Sequence, residues 1–297
     1  MTYLVLSILL NVWIFVAFRS YKKFRIPTLQ AVVINYFVCA SVGMIYSGKD
    51  GFSMSAVISA KWFPVALLLG LIFMVTFYAI AITTQKSGVT VASIASRMSL
   101  VIPVVFALFV FDLQSREFNV FNYLGIVMAV IAVILASLNA GSQKVYQKGH
   151  PWATLWPVSI FILQGGIDTI INYANSTLIP TSDDDIFPVV IFITAGLTGV
   201  IFLLVKKEKI QLKSFLGGFY LGIPNYFSVY FILKALTAFK NDGALLFPIL
   251  NTGIIALSTL AAVIIFKEKV MKLNIAGVII AIISIYLVSY QEIHSGF

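Results

Sequence analysis

The chain is poor in the residues on which soluble enzymes and disulfide-stabilised proteins depend. Charged residues make up 10% of its 297 positions, against about 25% in a typical soluble domain. It has one cysteine, Cys39, which excludes an intrachain disulfide, and two histidines, His150 and His294. No phosphate-binding loop, metal-binding motif or paired catalytic residues occur. The composition therefore favours a protein that is not an enzyme and that needs no cofactor.

Most of the chain consists of long apolar segments: 60% of the residues are hydrophobic, and the mean hydropathy is +1.01. Ten segments are long enough to cross a bilayer as helices, at 2–18, 29–47, 64–84, 89–111, 120–138, 152–175, 186–205, 214–236, 243–266 and 271–290. No basic residue precedes the first segment and no cleavage site follows it, so we expect a span and not a signal peptide. We predict an all-α membrane protein with ten transmembrane helices in the lipid bilayer.

The basic residues are concentrated in alternate loops. The net charge is +9, and fourteen of the twenty Lys and Arg residues follow segments one, three, five, seven and nine. Four lie on the side that holds both termini. Membrane proteins keep basic loops in the cytoplasm, so this charge is not read as a nucleic-acid-binding surface. We expect a multi-pass protein of the plasma membrane, the inner membrane in a bacterium, with both termini outside.

The first half of the chain resembles the second. Residues 87–111 align with residues 242–266 at a single offset, and the fifth segment resembles the tenth. Because each half holds five segments, an odd number, the halves would cross the membrane in opposite directions. The repeat predicts two inverted five-helix halves, 1–140 and 141–297, in one compact membrane domain. Transporters of this architecture bind substrate near the midplane.

Several short segments resemble the drug/metabolite transporter superfamily, in its EamA-like branch of five plus five helices. They are FVAFR at 15–19, SLVIP at 99–103, FKEK at 266–269, and the positions of Gly125 and Gly277. The resemblance covers nearly the whole chain and implies a ten-helix secondary transporter of small metabolites, often an exporter. The chain departs from the family at Asn11, where an aromatic residue is usual, and the family's acidic residue after the fourth helix matches Glu117 only with a shift. The resemblance also implies cytoplasmic termini, against the charge count.

Arg97 is the costliest residue in a predicted span. It lies about nine residues into the fourth segment, roughly 13 Å from its start. A guanidinium there costs at least ~2.5–3.5 kcal/mol and cannot lose its proton. Helical spacing puts Thr90, Ser93 and Ser96 on the same side as Arg97. We predict that this face lines a cavity where Arg97 binds an anionic group, with a structural ion pair to Asp168 as the alternative.

The sixth segment carries a second polar face, since Gln164, Asp168 and Asn172 follow one another at intervals of four. We expect Gln164 and Asn172 to hydrogen-bond the substrate. Asp168 is a candidate for coupling a proton, the role that intramembrane carboxyl groups have in pumps and transporters. It could instead be a permanent partner of Arg97 or Lys234. The preceding pair of glycines is typical of close helix packing.

Five further residues complete the candidate substrate site, and these are Asn11, Tyr78, Lys234, Asn251 and Thr252. Thr252 aligns with Arg97 in the repeat, so the second half lacks a matching charge and the cavity should be asymmetric. Asn11 shares a face with Tyr3 and Ser7, and either a cavity contact or an interhelix hydrogen bond would satisfy it. Lys234 could line the cavity or extend to the headgroups on its flexible stem. For Tyr78, packing is the alternative to a cavity role.

The sequence thus supports two functions from different classes. The first is a secondary carrier that moves a small anionic or zwitterionic metabolite by alternating access, with protons as a candidate coupling ion. The second is a non-transporting membrane subunit or receptor whose intramembrane charges form a fixed structural network.

Overall fold

The computed structural model describes residues 2–46, 54–103, 106, 119–138, 155–180, 183, 185–238, 243–270, 272–288 and 290. These residues form eleven helices and no strand. The helices are α1 (Thr2–Phe24), α2 (Thr28–Tyr46), α3 (Met54–Ser59), α4 (Phe63–Lys86), α5 (Val89–Met98), α6 (Val120–Leu138), α7 (Leu155–Thr177), α8 (Ile186–Lys206), α9 (Leu212–Ala238), α10 (Gly243–Phe266) and α11 (Lys272–Val288).

The chain is an all-α membrane protein. Six helices are long and apolar enough to cross a bilayer, at Thr2–Phe24, Thr28–Tyr46, Phe63–Lys86, Ile186–Lys206, Leu212–Ala235 and Ile249–Phe266. Large apolar side chains face outward, such as Leu216 at 68% exposed and Ile264 at 66%. Polar side chains such as Asn35 and Ser93 are fully buried. An apolar outside around a polar inside suits lipid as the solvent.

One end of the helix bundle gathers the loops that the sequence marks as basic. We call it the basic end and define it by residues 19–30, 84–89, 206–214, 266–270 and 272. Gln30 joins two of these loops, because its amide nitrogen donates to the Lys209 carbonyl (3.0 Å) and its oxygen accepts from Ser214 (2.7 Å). Gln85 donates to Thr28 in the same layer, at 2.8 Å. Helices α1, α4, α8 and α10 therefore end here, and α2, α5 and α9 begin here.

Glycines let the central helix α2 pack closely between α8 and α9. A Cβ on Gly218 of α9 would lie within 2.5 Å of Ile34, and one on Gly222 would lie 2.8 Å from Val38. A Cβ on Gly199 of α8 would likewise come too close to the Val33 side chain. Small residues are the usual means of close helix approach in membranes, where the hydrophobic effect does not drive helix association.

Pro224 interrupts the hydrogen bonding of α9 without ending the helix. Proline has no N–H, so the carbonyl four residues earlier, on Tyr220, loses its helical donor. The indole N–H of Trp13 on α1 donates to that carbonyl at 3.1 Å. This replacement donor keeps a backbone group satisfied in a place where lipid could not do so.

The fourth predicted span is not continuous, which corrects the prediction of a helix over 89–111. Helix α5 ends at Met98, and a turn at Ser99 and Leu100 precedes a short helical segment at 101–103. The cause is Pro103, whose ring clashes with the carbonyl of Ser99 and which offers it no donor. That carbonyl instead accepts from the Ile102 amide, at 2.9 Å. Residues 107–118 lie outside the described part.

Two adjacent glycines on α7 allow a matched test of this packing. A Cβ on Gly165 would lie within 2.8 Å of three Ile102 side-chain atoms, whereas a Cβ on Gly166 would meet nothing within 4 Å. We expect Gly165→Ala to lower the unfolding temperature in detergent, because overpacking costs about 1–3 kcal/mol. Gly166→Ala should raise it, because alanine gains about 1 kcal/mol of helix propensity over glycine. Equal shifts in the same direction would contradict this packing.

Candidate functional site

A chain of hydrogen bonds across three helices holds Arg97. Its Nη2 donates to Oδ1 of Asn11 on α1 at 2.6 Å. The Asn11 amide donates to the Ser7 carbonyl at 2.9 Å, and the Ser7 hydroxyl donates to the Ser228 carbonyl on α9 at 3.1 Å. Asn11, one of the residues predicted for the substrate site, therefore makes an interhelix hydrogen bond to the buried cation.

The guanidinium of Arg97 is not fully satisfied by these contacts. Its Nε is buried without a hydrogen-bond partner. A buried unpaired donor of a charged group is costly, and native structures keep few of them. Part of the cost is offset because Arg97 lies in the last turn of α5, whose free carbonyl groups favour a cation. Arg97 as a whole remains partly exposed, with Nη2 bonded to Asn11 and Nε without a partner.

Asp168 lies near Arg97 but is held by neutral groups. Its Oδ1 accepts from Gln164 at 3.0 Å, one turn earlier on α7, and its Oδ2 lies 3.2 Å from the Ser99 hydroxyl. Within the described residues, no salt bridge within 4.0 Å joins Asp168 to Arg97 or to Lys234. The two opposite charges are close enough to attract each other. The direct ion pair considered from the sequence is therefore not formed in this structure.

The interruption of α5 brings these two charges to one place. Ser99, which follows the last residue of α5, presents its hydroxyl to Asp168 and lies two residues from Arg97. Gly165 places α7 against Ile102 just beyond the turn, and a side chain there would hold the helices apart. Close packing, which the sequence favours for this glycine, thus sets the separation between the two charged groups.

The other predicted residues lie on α5 and on α10, two helices that pack against each other. Ser93 is fully buried and donates to the Thr90 carbonyl at 3.0 Å, and Ser96 is 6% exposed. Asn251 is 7% exposed and Thr252 is partly buried on α10, a helix that packs against both α1 and α5. The side chain of Asn172, also predicted for the site, lies outside the described residues.

Two predicted site residues lie away from the cluster. The Lys234 side chain is exposed on α9, with its ammonium 5.5 Å from the centre of the Tyr230 ring. This position matches the alternative in which the lysine extends toward the headgroups. Tyr78 is partly buried on α4, and Lys206 of the basic end lies 5.6 Å from the centre of its ring.

An ion pair at the basic end was not predicted from the sequence. Nε of Arg19, near the end of α1, lies 2.9 Å from Oε1 of Glu268, which follows α10. It is the one salt bridge formed among the residues that the structure describes. Nη1 of Arg19 also donates to the carbonyls of Thr84 (3.1 Å) and Gln85 (2.6 Å) at the end of α4. Both residues stand in segments that carry the family resemblance, and this was the available signal.

Glu268 also caps the start of α5. Its carboxylate accepts from the Val89 amide, at 3.2 Å to Oε2, where the positive end of the helix favours an anion. The approach needs glycine at position 88, which has a φ of 107° and where a Cβ would lie 2.8 Å from the same oxygen. Burial raises the pKa of Glu268 above its usual value, and Arg19 and the Val89 amide oppose part of that rise.

The chain is similar to other proteins over nearly its full length. No protein-family model matches the chain. A Haemophilus influenzae protein, described as an uncharacterized protein, is 26% identical over 297 residues, which cover 97% of this chain and 98% of that protein. A solved structure, described as "Crystal structure of protein", has a TM-score of 0.59 at 13% identity and covers 98% of each chain. This likeness shows a shared fold over the full length.

The contact between Asn11 and Arg97 predicts a measurable coupling. Asn11→Ala removes the acceptor from a buried cation and should cost about 1.5–3 kcal/mol of stability, the range for hydrogen bonds to charged groups. Chemical denaturation in detergent measures the loss. Ser41→Ala is the control, because that exposed hydroxyl bonds only to its own helix, at the Phe37 carbonyl.

A double-mutant cycle separates this contact from general damage to α1. In an Arg97→Met background, Asn11→Ala should cost clearly less than in the wild type, because the cation is already gone. If the substitution costs the same in both backgrounds, the two residues are not energetically coupled.

Proposed function

We propose that this protein is a secondary carrier that moves a small anionic or zwitterionic metabolite by alternating access. The observation that carries the proposal is the unpaired, buried Nε of Arg97, a partly buried cation with a neutral acceptor at Asn11. A purely structural cation would be expected to use its donors on protein groups. Spare donors beside a carboxylate that is not bonded to them are what a carrier needs to exchange a charged ligand.

The proposal includes ten transmembrane helices in two inverted halves of the EamA-like kind. In this scheme α1, α2, α4, α5 and α6 correspond to α7, α8, α9, α10 and α11. The pattern of neighbours supports it. Helices α2 and α9 pack together and so do their counterparts α8 and α4, and the contacts of α1 with α9 and α10 recur as α7 with α4 and α5.

Helix direction gives the same support. Helix α5 begins at the basic end, and its counterpart α10 ends there. Helix α2 likewise begins where α8 ends, and α9 begins where α4 ends. Two halves with opposite direction are the arrangement in which the substrate binds near mid-depth between them. Arg97 lies about eight residues after the start of α5, and Asn251 lies about eight residues after the start of α10. In the proposed arrangement they are on opposite sides of the interface between the halves.

In the proposed site, Arg97 binds the anionic group of the substrate, and Ser93, Ser96 and Thr252 line the wall beside it. Gln164, Asn172 and Asn251 hydrogen-bond the rest. The spacing of Gln164, Asp168 and Asn172 by four keeps these groups on one face of α7. The protein would be a multi-pass protein of the plasma membrane. By the charge of its loops, the basic end would face the cytoplasm and the termini the outside.

Asp168 is proposed as the proton carrier, because its contacts suit both protonation states. The Ser99 hydroxyl lies 2.6 Å from the Ser96 carbonyl and has one proton to donate. When the Ser99 hydroxyl donates its hydrogen bond to the Ser96 carbonyl, the hydroxyl oxygen can accept a hydrogen bond from protonated Asp168. When Asp168 is ionised, the hydroxyl can rotate and donate to the carboxylate instead. Gln164 donates to Oδ1 in both states.

Ligand binding tests the role of Arg97. Purified protein is screened by thermal shift against amino acids, carboxylates and phosphate esters, and wild type is compared with Arg97→Gln. We expect a stabilising ligand whose half-saturation weakens at least tenfold in Arg97→Gln, since the charge-assisted contact is lost. Lys213→Gln, which removes an exposed cation at the basic end, is the matched control and should bind like wild type. Equal affinity in Arg97→Gln would contradict the role.

Counterflow in proteoliposomes tests transport and the proton. Asp168→Asn mimics the protonated carboxyl group, with its oxygen toward Gln164 and its N–H toward Ser99. We expect this variant to exchange substrate across the membrane but to lose accumulation driven by a pH gradient. Accumulation that still follows the gradient would remove Asp168 from the coupling step.

The non-transporting alternative predicts a different set of results. No metabolite would move in counterflow, Arg97→Ala would lower the folded yield, and adding Asp168→Ala would restore it.

A further inference from the structure

The Arg19–Glu268 ion pair joins the two proposed halves at a single point. Arg19 is on α1 and bonds the end of α4, whereas Glu268 follows α10 and bonds the start of α5. Three helices of the first half are thus tied to one residue of the second. The Glu268 side chain is 5% exposed and that of Arg19 is 15% exposed, so solvent screens the pair little.

A polar stripe on α5 leads from this ion pair to the proposed substrate site. Thr90, Ser93 and Arg97 follow at intervals of three and four, so they share one face of the helix. Thr90 is one residue beyond Val89, whose amide Glu268 caps. The Thr90 hydroxyl is buried without a hydrogen-bond partner.

A small pocket adjoins the Glu268 carboxylate at the Thr90 end of this stripe. It is lined by Ser87, Thr90, Glu268 and Asn274 among others, and its volume of about 20 Å³ has room for one water molecule. The open space beside the carboxylate is therefore far smaller than a metabolite. The basic end also carries exposed cations close to Glu268 in the chain, such as Lys267 and Lys269.

We infer that the Arg19–Glu268 pair is the gate that closes the transport pathway at the basic end, and that it must separate in each transport cycle. The inference rests on the proposed carrier function. The pair suits this role because its members come from opposite halves, so rocking one half against the other separates them. Each member also bonds a helix terminus of the favourable sign, which gives the closed state a definite geometry.

Cysteine accessibility tests the gate in the full chain. In a Cys39→Ala background, Thr90→Cys places a thiol beneath the pair, at a position that is 3% exposed. The purified protein reacts with a charged methanethiosulfonate reagent in detergent. We expect Arg19→Gln and Glu268→Gln each to raise the modification rate at least tenfold. The control is Lys272→Gln, which removes an exposed charge from the same end and should leave the rate within twofold.

A second thiol separates gate opening from loss of the fold. Ala281 is fully buried on α11, so Ala281→Cys should stay protected in the Gln variants if only the gate has opened. If Thr90→Cys reacts at the wild-type rate in both Gln variants, the gate does not exist. If Ala281→Cys becomes reactive in parallel with Thr90→Cys, the pair only holds the fold together, which also overturns the inference.

The thiol measurement needs no substrate, so it fails independently of the transport proposal. A chain whose gate opens in the Gln variants but that carries no metabolite in counterflow would contradict the carrier function and leave the conformational role of the pair intact.

Discussion

The burial of one guanidinium among apolar helices is the constraint around which the described interior is arranged. Arg97 cannot be neutralised, so a polar environment has to be brought to it. Asn11 supplies one acceptor, Ser7 fixes Asn11, and α9 fixes Ser7 through a backbone carbonyl. Because α5 ends at Met98, the negative end of its helix dipole also lies beside Arg97. Three helices are thereby held in register by a residue that costs free energy to bury.

The same helices form two separate layers of polar contacts. In the interior, Arg97 and Asp168 lie near each other without a direct bond, each held by neutral partners. At the basic end, Arg19 and Glu268 are bonded directly. Helix α5 belongs to both layers, since its first amide meets Glu268 and its last turn carries Arg97. A movement of this one helix would alter both layers together, and this is the kind of mechanical link that alternating access requires.

The sequence predicted the helical membrane fold well because long apolar segments are a strong signal, and lipid leaves the backbone few alternatives. Helical spacing also predicted that Gln164 and Asp168 share one face of a helix, and the structure has them hydrogen-bonded. The sequence did not predict the contact between Asn11 and Arg97, because the relative rotation of two helices is set by packing. Tyr78 and Lys234 show the same limit, since Tyr78 packs against the apolar core and Lys234 is exposed. The ion pair of Arg19 joins residues 249 positions apart, and no local pattern reports such a contact.

The turn at Ser99 makes α5 mechanically unlike α10. Helix α10 runs unbroken from Gly243 to Phe266, whereas α5 ends at Met98 and a turn separates it from the helical segment at 101–103. A continuous rod can only tilt as a whole, carrying its polar end with it. A jointed one can bend at the hinge and leave one end still. In the proposed carrier, openings toward the two sides of the membrane would then differ in width and in speed.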